Sequence, residues 1–415
     1  MKTVFKFGGA SIQDVNSIKS TCNIIKKHEH EKLFVVFSAM GKVTNMLEEV
    51  VNLYVMKDSQ LYHSLEKVKV FHYDILNELF DIDELIFSDI NNLFIEIEWL
   101  LEENPIKKYS YYYDQIVSVG ELLSSKILSA YLNKIGFNHQ LIDARDIIRT
   151  DDVYRNAKIN WNKTTSLIKN KMNQGHYLTQ GFIGCTSQNV TTTLGREGSD
   201  FTAAILGFVL DVNEVVIWKD VPGMMNADPN SFSKAKLFSN VSFDEAIELA
   251  FFGAKVVHPR TIQPLKQKNI PLRVKSFIDP KAEGTLIAEG VKTKPDLPSY
   301  IIKEDQVLIS ISDPRLSFIV EDHMKQIFLL LTEHSISVNM MQNSAVSFSI
   351  CIDNDKYTIP KFIQDLQKEF KVSYNESVRL YTIRNYNSKV LKEFLNNRVV
   401  LLEQRSRNTL QVVAF

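Results

Sequence analysis

Two glycine turns in this chain carry a cation beside an anion-binding backbone. The first is Lys6-Phe7-Gly8-Gly9-Ala10-Ser11, after the apolar run Val4-Phe5. The second is Leu194-Gly195-Arg196-Glu197-Gly198-Ser199-Asp200, which opens onto a helical pattern running to Leu210. A glycine turn between strand and helix brings backbone N–H groups and a helix N-terminus to one point, which suits phosphate. Lys6 and Arg196 can neutralise phosphate or carboxylate oxygens. Together the turns imply a phosphoryl donor and an anionic acceptor held face to face. Neither spacing is a Walker A loop, which ends in Gly-Lys-Ser/Thr, nor a GxGxxG fingerprint.

Other groups belong with them. Ser38-Ala39-Met40-Gly41-Lys42-Val43-Thr44 is a third turn of small residues ahead of a helix, where Thr44 either faces a ligand or caps the helix. Glu121 sits in an apolar helical pattern, so its carboxylate pairs with a cation, faces a cavity, or lies on a solvated face. Asp220 ends the strand-like run Glu214 to Trp218, at the carboxyl end where open α/β sheets bind ligands; it also fits an ordinary Asp-Val-Pro-Gly turn. Lys255 follows a helix and can meet phosphate or cap carbonyls. His258 precedes a helix-starting proline and reads as structural.

The elements that position these groups alternate. Strands are expected at 33–37, 141–142, 177–183, 214–218 and 272–274, and helices at 44–56, 114–135, 200–210, 243–252 and 260–267. That rhythm implies an α/β domain with a largely parallel sheet over residues 1–280. Residues 60–104 are helical throughout and read as an insertion or lid. Pro280, Gly284, Pro295 and Pro298 mark a linker over 281–300. Beyond it, strands at 307–312, 336–341, 346–352, 378–384, 399–402 and 409–414 mix with helices at 321–334, 360–370 and 390–397. They form two small α+β modules, tandem or intertwined.

Composition narrows the class. The chain has 415 residues with a net charge of −1, from 48 basic and 49 acidic side chains. No basic excess points to nucleic acid, and no apolar run approaches the roughly 20 residues of a membrane span. Three scattered cysteines, Cys22, Cys185 and Cys351, form neither CxxC pairs nor a disulfide framework, which fits a cytoplasmic protein. No set of residues has metal-ligand spacing.

Seven blocks in order, KFGGAS, SAMGKVTN, SVGELLSSK, TQGFIG, LGREGSDFTA, WKDVPGMMNADP and GAKVVHPRTIQP, resemble the aspartate kinase family within the amino-acid kinase fold. The resemblance implies a three-layer domain with a mainly parallel sheet. The tail is similar to that family's paired ACT regulatory domains, one from about 314–376, the other from 301–313 and 377–415. The implied reaction is transfer of phosphate from ATP, with Mg²⁺, to the side-chain carboxylate of L-aspartate, the first step towards lysine, threonine and methionine. An ionised acceptor carboxylate needs no general base.

Roles follow from the resemblance. Lys6, Gly8 and Gly9 face the transferring phosphoryl group, and Asp200 orients Lys6 or substrate. Arg196 holds the α-carboxylate of aspartate and Glu121 its α-ammonium, with Ser38, Ala39, Thr44 and Ser199 lining the acceptor site. Lys219, Asp220, Met225, Asn230 and Lys255 contact the nucleotide. Met341, Gln342, Asn343, Ser344 and Ala345 form an effector loop for lysine or threonine, at the interface of an ACT-linked homodimer. The chain departs from the pattern at Glu197, where glycine is usual, at Lys219, where threonine is usual, and at Met225 and Asn230, where tyrosine and arginine are usual. Glu197 and Lys219 either share the phosphate region or both face solvent. Two other readings are an ACT-type amino-acid sensor with a decayed kinase domain, and a kinase for another acidic substrate.

Overall fold

The computed structural model describes residues 1–254, 256–314, 319, 321–387 and 398–415. They divide into two compact units. The first comprises Met1–Met224, Leu237–Ile247 and Val256–Pro295; the second comprises Met225–Lys236, Glu248–Lys255 and Asp296–Phe415.

The first half of the larger unit runs β1 (Lys2–Phe7), α1 (Val15–Lys27), β2 (Lys32–Phe37), α2 (Val43–Met56), α3 (Leu61–Leu79), α4 (Ile86–Glu102), α5 (Tyr109–Val117), α6 (Val119–Lys134) and β3 (Gln140–Ile142). It continues with α7 (Trp161–Lys171), β4 (Tyr177–Gln180), β5 (Ile183–Cys185), β6 (Thr191–Thr193), α8 (Gly198–Leu210), β7 (Glu214–Lys219) and β8 (Asn240–Ser242). After α9 (Phe243–Phe252), whose residues divide between the units, come α10 (Pro259–Gln267), β9 (Leu272–Ser276) and β10 (Thr285–Ala288).

Eight strands form one sheet in the order β3-β4-β2-β1-β7-β9-β10-β8. All neighbours are parallel except β9 and β10. Central strands buried on both faces read as continuous apolar runs, as Leu33-Phe34-Val35-Val36-Phe37 does. Successive side chains of a strand point to opposite faces. Phe5 meets His28 just beyond α1, while the next residue, Lys6, reaches Asp200 of α8. Helices therefore cover both faces, giving three layers. Phe7 stacks on Phe37 and on Trp218, its register partners in β2 and β7. This ring row fixes the carboxyl ends of three adjacent strands, from which three of the functional turns leave.

Three expectations change. Thr285–Ala288, assigned to a linker by its proline and glycine neighbours, is a strand paired with β8 and β9. A four-residue strand is too short to show a period. The stretch 114–135 is two helices meeting at Ser118, where the Glu121 N–H donates to the Ser118 carbonyl three residues back. That tightening puts Glu121 in the first turn of α6. The run expected at 177–183 breaks into β4 and β5.

In the second unit, β11 (Ser299–Ser312), α11 (Glu321–Glu333), β12 (Val338–Asn343), β13 (Ser347–Asp353), α12 (Ile359–Leu366), β14 (Lys371–Arg384), β15 (Val400–Arg405) and β16 (Thr409–Ala414) follow in order. Six strands form one antiparallel sheet, β12-β13-β11-β14-β16-β15. The long strands β11 and β14 pair along both halves, with a register shift between Lys303 and Gln306, so one sheet serves both modules. Ile327 and Leu331 of α11 and Phe362 and Leu366 of α12 pack with Val307, Ile309 and Ile311 of β11. The helix expected at 390–397 lies outside the described residues.

Candidate active site

A cavity of about 390 Å³ opens at the carboxyl ends of β1 and β7 and the first turn of α8, where open α/β sheets bind ligands. Lys6, Ser38, Thr44, Glu121, Arg196, Ser199, Asp200 and Lys219 all line it. Residues from positions 6 to 219 thus converge as the two glycine turns implied. Thr44 does not cap α2: the capping position is Lys42, and Thr44 lies within the first turn.

Two lysines share one buried carboxylate. Lys6 Nζ lies 2.7 Å from Asp200 Oδ1, and Lys219 Nζ lies 3.3 Å from Oδ2. Charge on charge is the larger part of the attraction to Lys6. Burial alone would raise the Asp200 carboxyl; Lys6 and Lys219 outweigh it and hold the group below the ordinary range. Burial alone would likewise lower the Lys219 ammonium; Asp200, and after it Glu197, raise it overall. Lys6 and Lys219 outnumber Asp200, the carboxylate they share, and present the kind of cations that a polyphosphate requires.

The cradle is framed by close backbone approach. A Cβ on Gly9 would lie 2.7 Å from the Gly41 carbonyl and 2.8 Å from that of Ala39. The Gly41 N–H donates to the Gly9 carbonyl at 3.1 Å, tying the first turn to the third. Lys6 Nζ lies 3.3 Å from where a Cβ on Gly8 would stand, so glycine there keeps the ammonium clear.

Glu121 is 2% exposed. Its Oε1 accepts from the Ala39 N–H at 3.3 Å, while Oε2 has no partner among the described residues. Burial pushes its carboxyl up to about 8, against the opposing Ala39 hydrogen bond and the Lys6 charge. A buried carboxyl with one open oxygen awaits a cation. Glu197 lines the cavity in a left-handed backbone conformation, φ 52°, with its Oε2 buried and unpartnered among the described residues. Lys219 and Glu197 share the cavity, and Lys219's direct partner is Asp200. His258 is the N-cap of α10, its Nδ1 accepting from the Arg260 N–H.

Sequence reasoning did not single out Tyr113, Arg155 or Phe182, which also line the cavity. Nor did it find Asp114, fully buried, which accepts from the backbone N–H groups of Arg155 and Thr193 and from the Thr193 hydroxyl. Burial pushes the Asp114 carboxyl up to about 6, against those hydrogen bonds. Asp114 ties the Arg155 loop to β6.

Ala39, Gly8 and Gly9 frame the cavity rather than line it, and Asp220 is exposed just beyond β7. Met225 and Asn230 belong to the second unit, where the Asn230 N–H donates to Asp228. Lys255 lies outside the described residues. Met341 to Ala345 are exposed, at the end of the edge strand β12 and in the turn that follows. Among the described residues no cluster of three His, Cys, Asp or Glu could hold a metal ion, and no helix is long and apolar enough to cross a membrane.

Residues 1–276 match the model of the amino acid kinase family. Lysine-sensitive aspartokinase 3 of Escherichia coli strain K12 is 32% identical over 354 residues, covering 84% of this chain and 78% of that protein. The crystal structure of E. coli aspartokinase III in complex with aspartate and ADP, termed the R-state, superposes with a TM-score of 0.85 at 28% identity, over 100% of this chain and 96% of that one. The T-state complex of the same enzyme with lysine and aspartate gives 0.84 at 28% identity, over 99% and 95%.

Proposed function

From a chain that belongs to the aspartokinases of the amino acid kinase family, we propose that the cavity around Lys6, Asp200 and Glu121 is where it phosphorylates aspartate. The protein is an ATP-dependent aspartate kinase, transferring the γ-phosphoryl group to the side-chain carboxylate of L-aspartate. The observation that carries the site assignment is the double lysine cradle on Asp200, facing a buried carboxyl with an open oxygen.

The chemistry needs little beyond charge and position. The acceptor carboxylate is ionised at neutral pH, and its oxygen attacks phosphorus directly. Lys6, with the Gly8 and Gly9 amides, meets the charge that builds on the transferring group. By the resemblance, Lys219, Asp220, Met225 and Asn230 contact the nucleotide and Lys255 its phosphates. Glu121 takes the α-ammonium of aspartate, and Arg196 takes the α-carboxylate through its planar fork. Ser38, Ala39, Thr44 and Ser199 close the acceptor side. Mg²⁺ would be held by the nucleotide's phosphates and water, because Asp200 is already neutralised by two lysines, and would supply further neutralisation of phosphate charge. Release of ADP that depends on L-aspartate tests this reading; equal turnover with L-glutamate, or none with aspartate, contradicts it.

The state of Glu121 sets a pH dependence. With its carboxyl raised to about 8, the free enzyme is mostly protonated there at pH 7. The substrate's ammonium pairs with the ionised form, so binding expels a proton below about pH 8. Aspartate affinity therefore rises with pH from 6 to 8, by up to about tenfold per unit, and levels off above. Glu121→Gln should raise the aspartate KM and flatten this dependence. A KM for the parent enzyme that is constant from pH 6 to 8 contradicts the role.

The antiparallel tail, with its exposed loop at Met341, Gln342, Asn343, Ser344 and Ala345, supports regulation by an amino acid, lysine or threonine. The lysine-bound T-state structure of the E. coli relative favours lysine. A kinase domain that runs on through β10, a tail that begins near β11, a homodimer through that tail, and a cytoplasmic setting complete the reading. Lysine or threonine should inhibit the dimer, and a variant lacking residues after 300 should be monomeric and insensitive. A truncated form that stays dimeric, or full-length enzyme indifferent to both amino acids, contradicts it.

A further inference from the structure

Arg155 lines the cavity from an unusual backbone position. Its φ of 67° lies in the left-handed region, which is unfavourable for a residue that carries a Cβ. The conformation is held from outside: fully buried Asp114 accepts the Arg155 N–H on both oxygens, at 3.0 and 3.1 Å. The same carboxylate is anchored by the Thr193 N–H and hydroxyl, at 2.8 and 2.7 Å. Strain held by a buried ionisable group points to a side chain whose placement matters.

The guanidinium is also aimed. It lies over the Tyr113 ring at 4.2 Å and the Tyr109 ring at 5.4 Å, and pairs with Glu48 of α2 at 3.1 Å. With 45% of the side chain exposed, that pair is weak and exchangeable. Glu48 follows Thr44 by one helical turn on α2, and Thr44, Tyr113 and Glu121 line the same cavity, which puts Arg155 at its acceptor end. Tyr113, pushed up to about 12 chiefly by burial, feels the charges of Glu48, Arg155 and Glu121 together. The groups that set Lys219, at the phosphate end, are Asp200, Glu197 and Asp220.

We propose that Arg155 is a specificity-determining residue that joins Arg196 on the free carboxylate of the amino-dicarboxylate acceptor, exchanging Glu48 for the substrate. This rests on the reading of the cavity as an aspartate kinase site. Two guanidinium groups on one carboxylate reward an acceptor with a second acidic group at the right distance, and penalise one that lacks it. Asp114 is a positioning residue acting through the Arg155 backbone.

Arg155→Gly separates this role from a structural one, because glycine accepts a positive φ without strain. If the position served only the fold, glycine would be neutral or better. The expected result is an unchanged or higher Tm, an aspartate KM raised about tenfold or more, and an ATP KM within twofold of the parent. Arg155→Lys, which keeps charge but loses the fork, should fall between. An aspartate KM equal to the parent's overturns the proposal, and so does a rise confined to the ATP KM, which would put the guanidinium on phosphate. Parent enzyme that does not phosphorylate aspartate defeats the reading of the whole cavity; active parent with an indifferent glycine variant defeats the Arg155 assignment alone.

Discussion

Replacing Lys6 with alanine is expected to lower kcat by roughly two to three orders of magnitude. No proton has to be removed from an ionised acceptor, so no general base remains to sustain the reaction. The barrier is lowered by groups already pointing at the charge that develops, and Lys6 is the most confined of these. It is 8% exposed, fixed on a central strand between Phe5 and Phe7, and 2.7 Å from Asp200. The fold should tolerate the change, because Asp200 keeps Lys219 as partner. The aspartate KM should change little, since Glu121 and Arg196 are untouched. A kcat within tenfold of the parent, for protein with an unchanged Tm, would show that Lys6 does not meet the transferring group.

Asp200→Asn should have an effect of similar size with a different signature. The carboxylate holds two ammonium groups in place, on one oxygen each. Without its charge those ammoniums repel; unit charges on the order of 5 Å apart cost about 3 kcal/mol at an effective dielectric constant of 20. Each lysine then relaxes away from the phosphoryl position, and kcat should fall by roughly a hundredfold. ATP brings its own negative charge to the bared lysines, so its KM should hold or fall. Steady-state kinetics with both substrates varied checks the split. A raised ATP KM with unchanged kcat would mean that Asp200 serves binding and not the transfer step.

These two residues show what the sequence can carry. Lys6 was legible because a cation next to Gly-Gly after an apolar run has few other uses. Asp200 was legible as a candidate, yet its pairing with both Lys6 and Lys219 depends on strands brought together across nearly two hundred residues. Glu121 stood out as a carboxylate in an apolar helix; the break at Ser118 that puts it in a first helical turn has no proline to announce it. Arg155 was invisible because it lies in a charged loop without period, and a positive φ at a non-glycine residue leaves no mark in the sequence. Asp114 was hidden for the opposite reason: it sits in a helical run where an acidic residue normally faces water, and only the packing of β6 and the Arg155 loop buries it.

The tail illustrates a different limit. Local patterns placed β13, β16 and both described helices well, because apolar alternation and helical spacing are local properties. That β11 and β14 run for 14 residues each and serve both modules is not local. The register shift after Lys303 divides each strand between two sets of neighbours. The strand at 285–288 failed for a related reason, since its pairing with β8 and β9, not its composition, makes it part of the sheet.

On the proposed assignment, this cavity moves a phosphoryl group onto a carboxylate. Its product is an acyl phosphate, which hydroxylamine converts to a hydroxamate. Purified enzyme with Mg-ATP, L-aspartate and hydroxylamine should yield aspartyl hydroxamate in step with ADP, and Lys6→Ala should suppress both together. ADP formation without hydroxamate, or hydroxamate formed equally well by Lys6→Ala, would rule out that assignment.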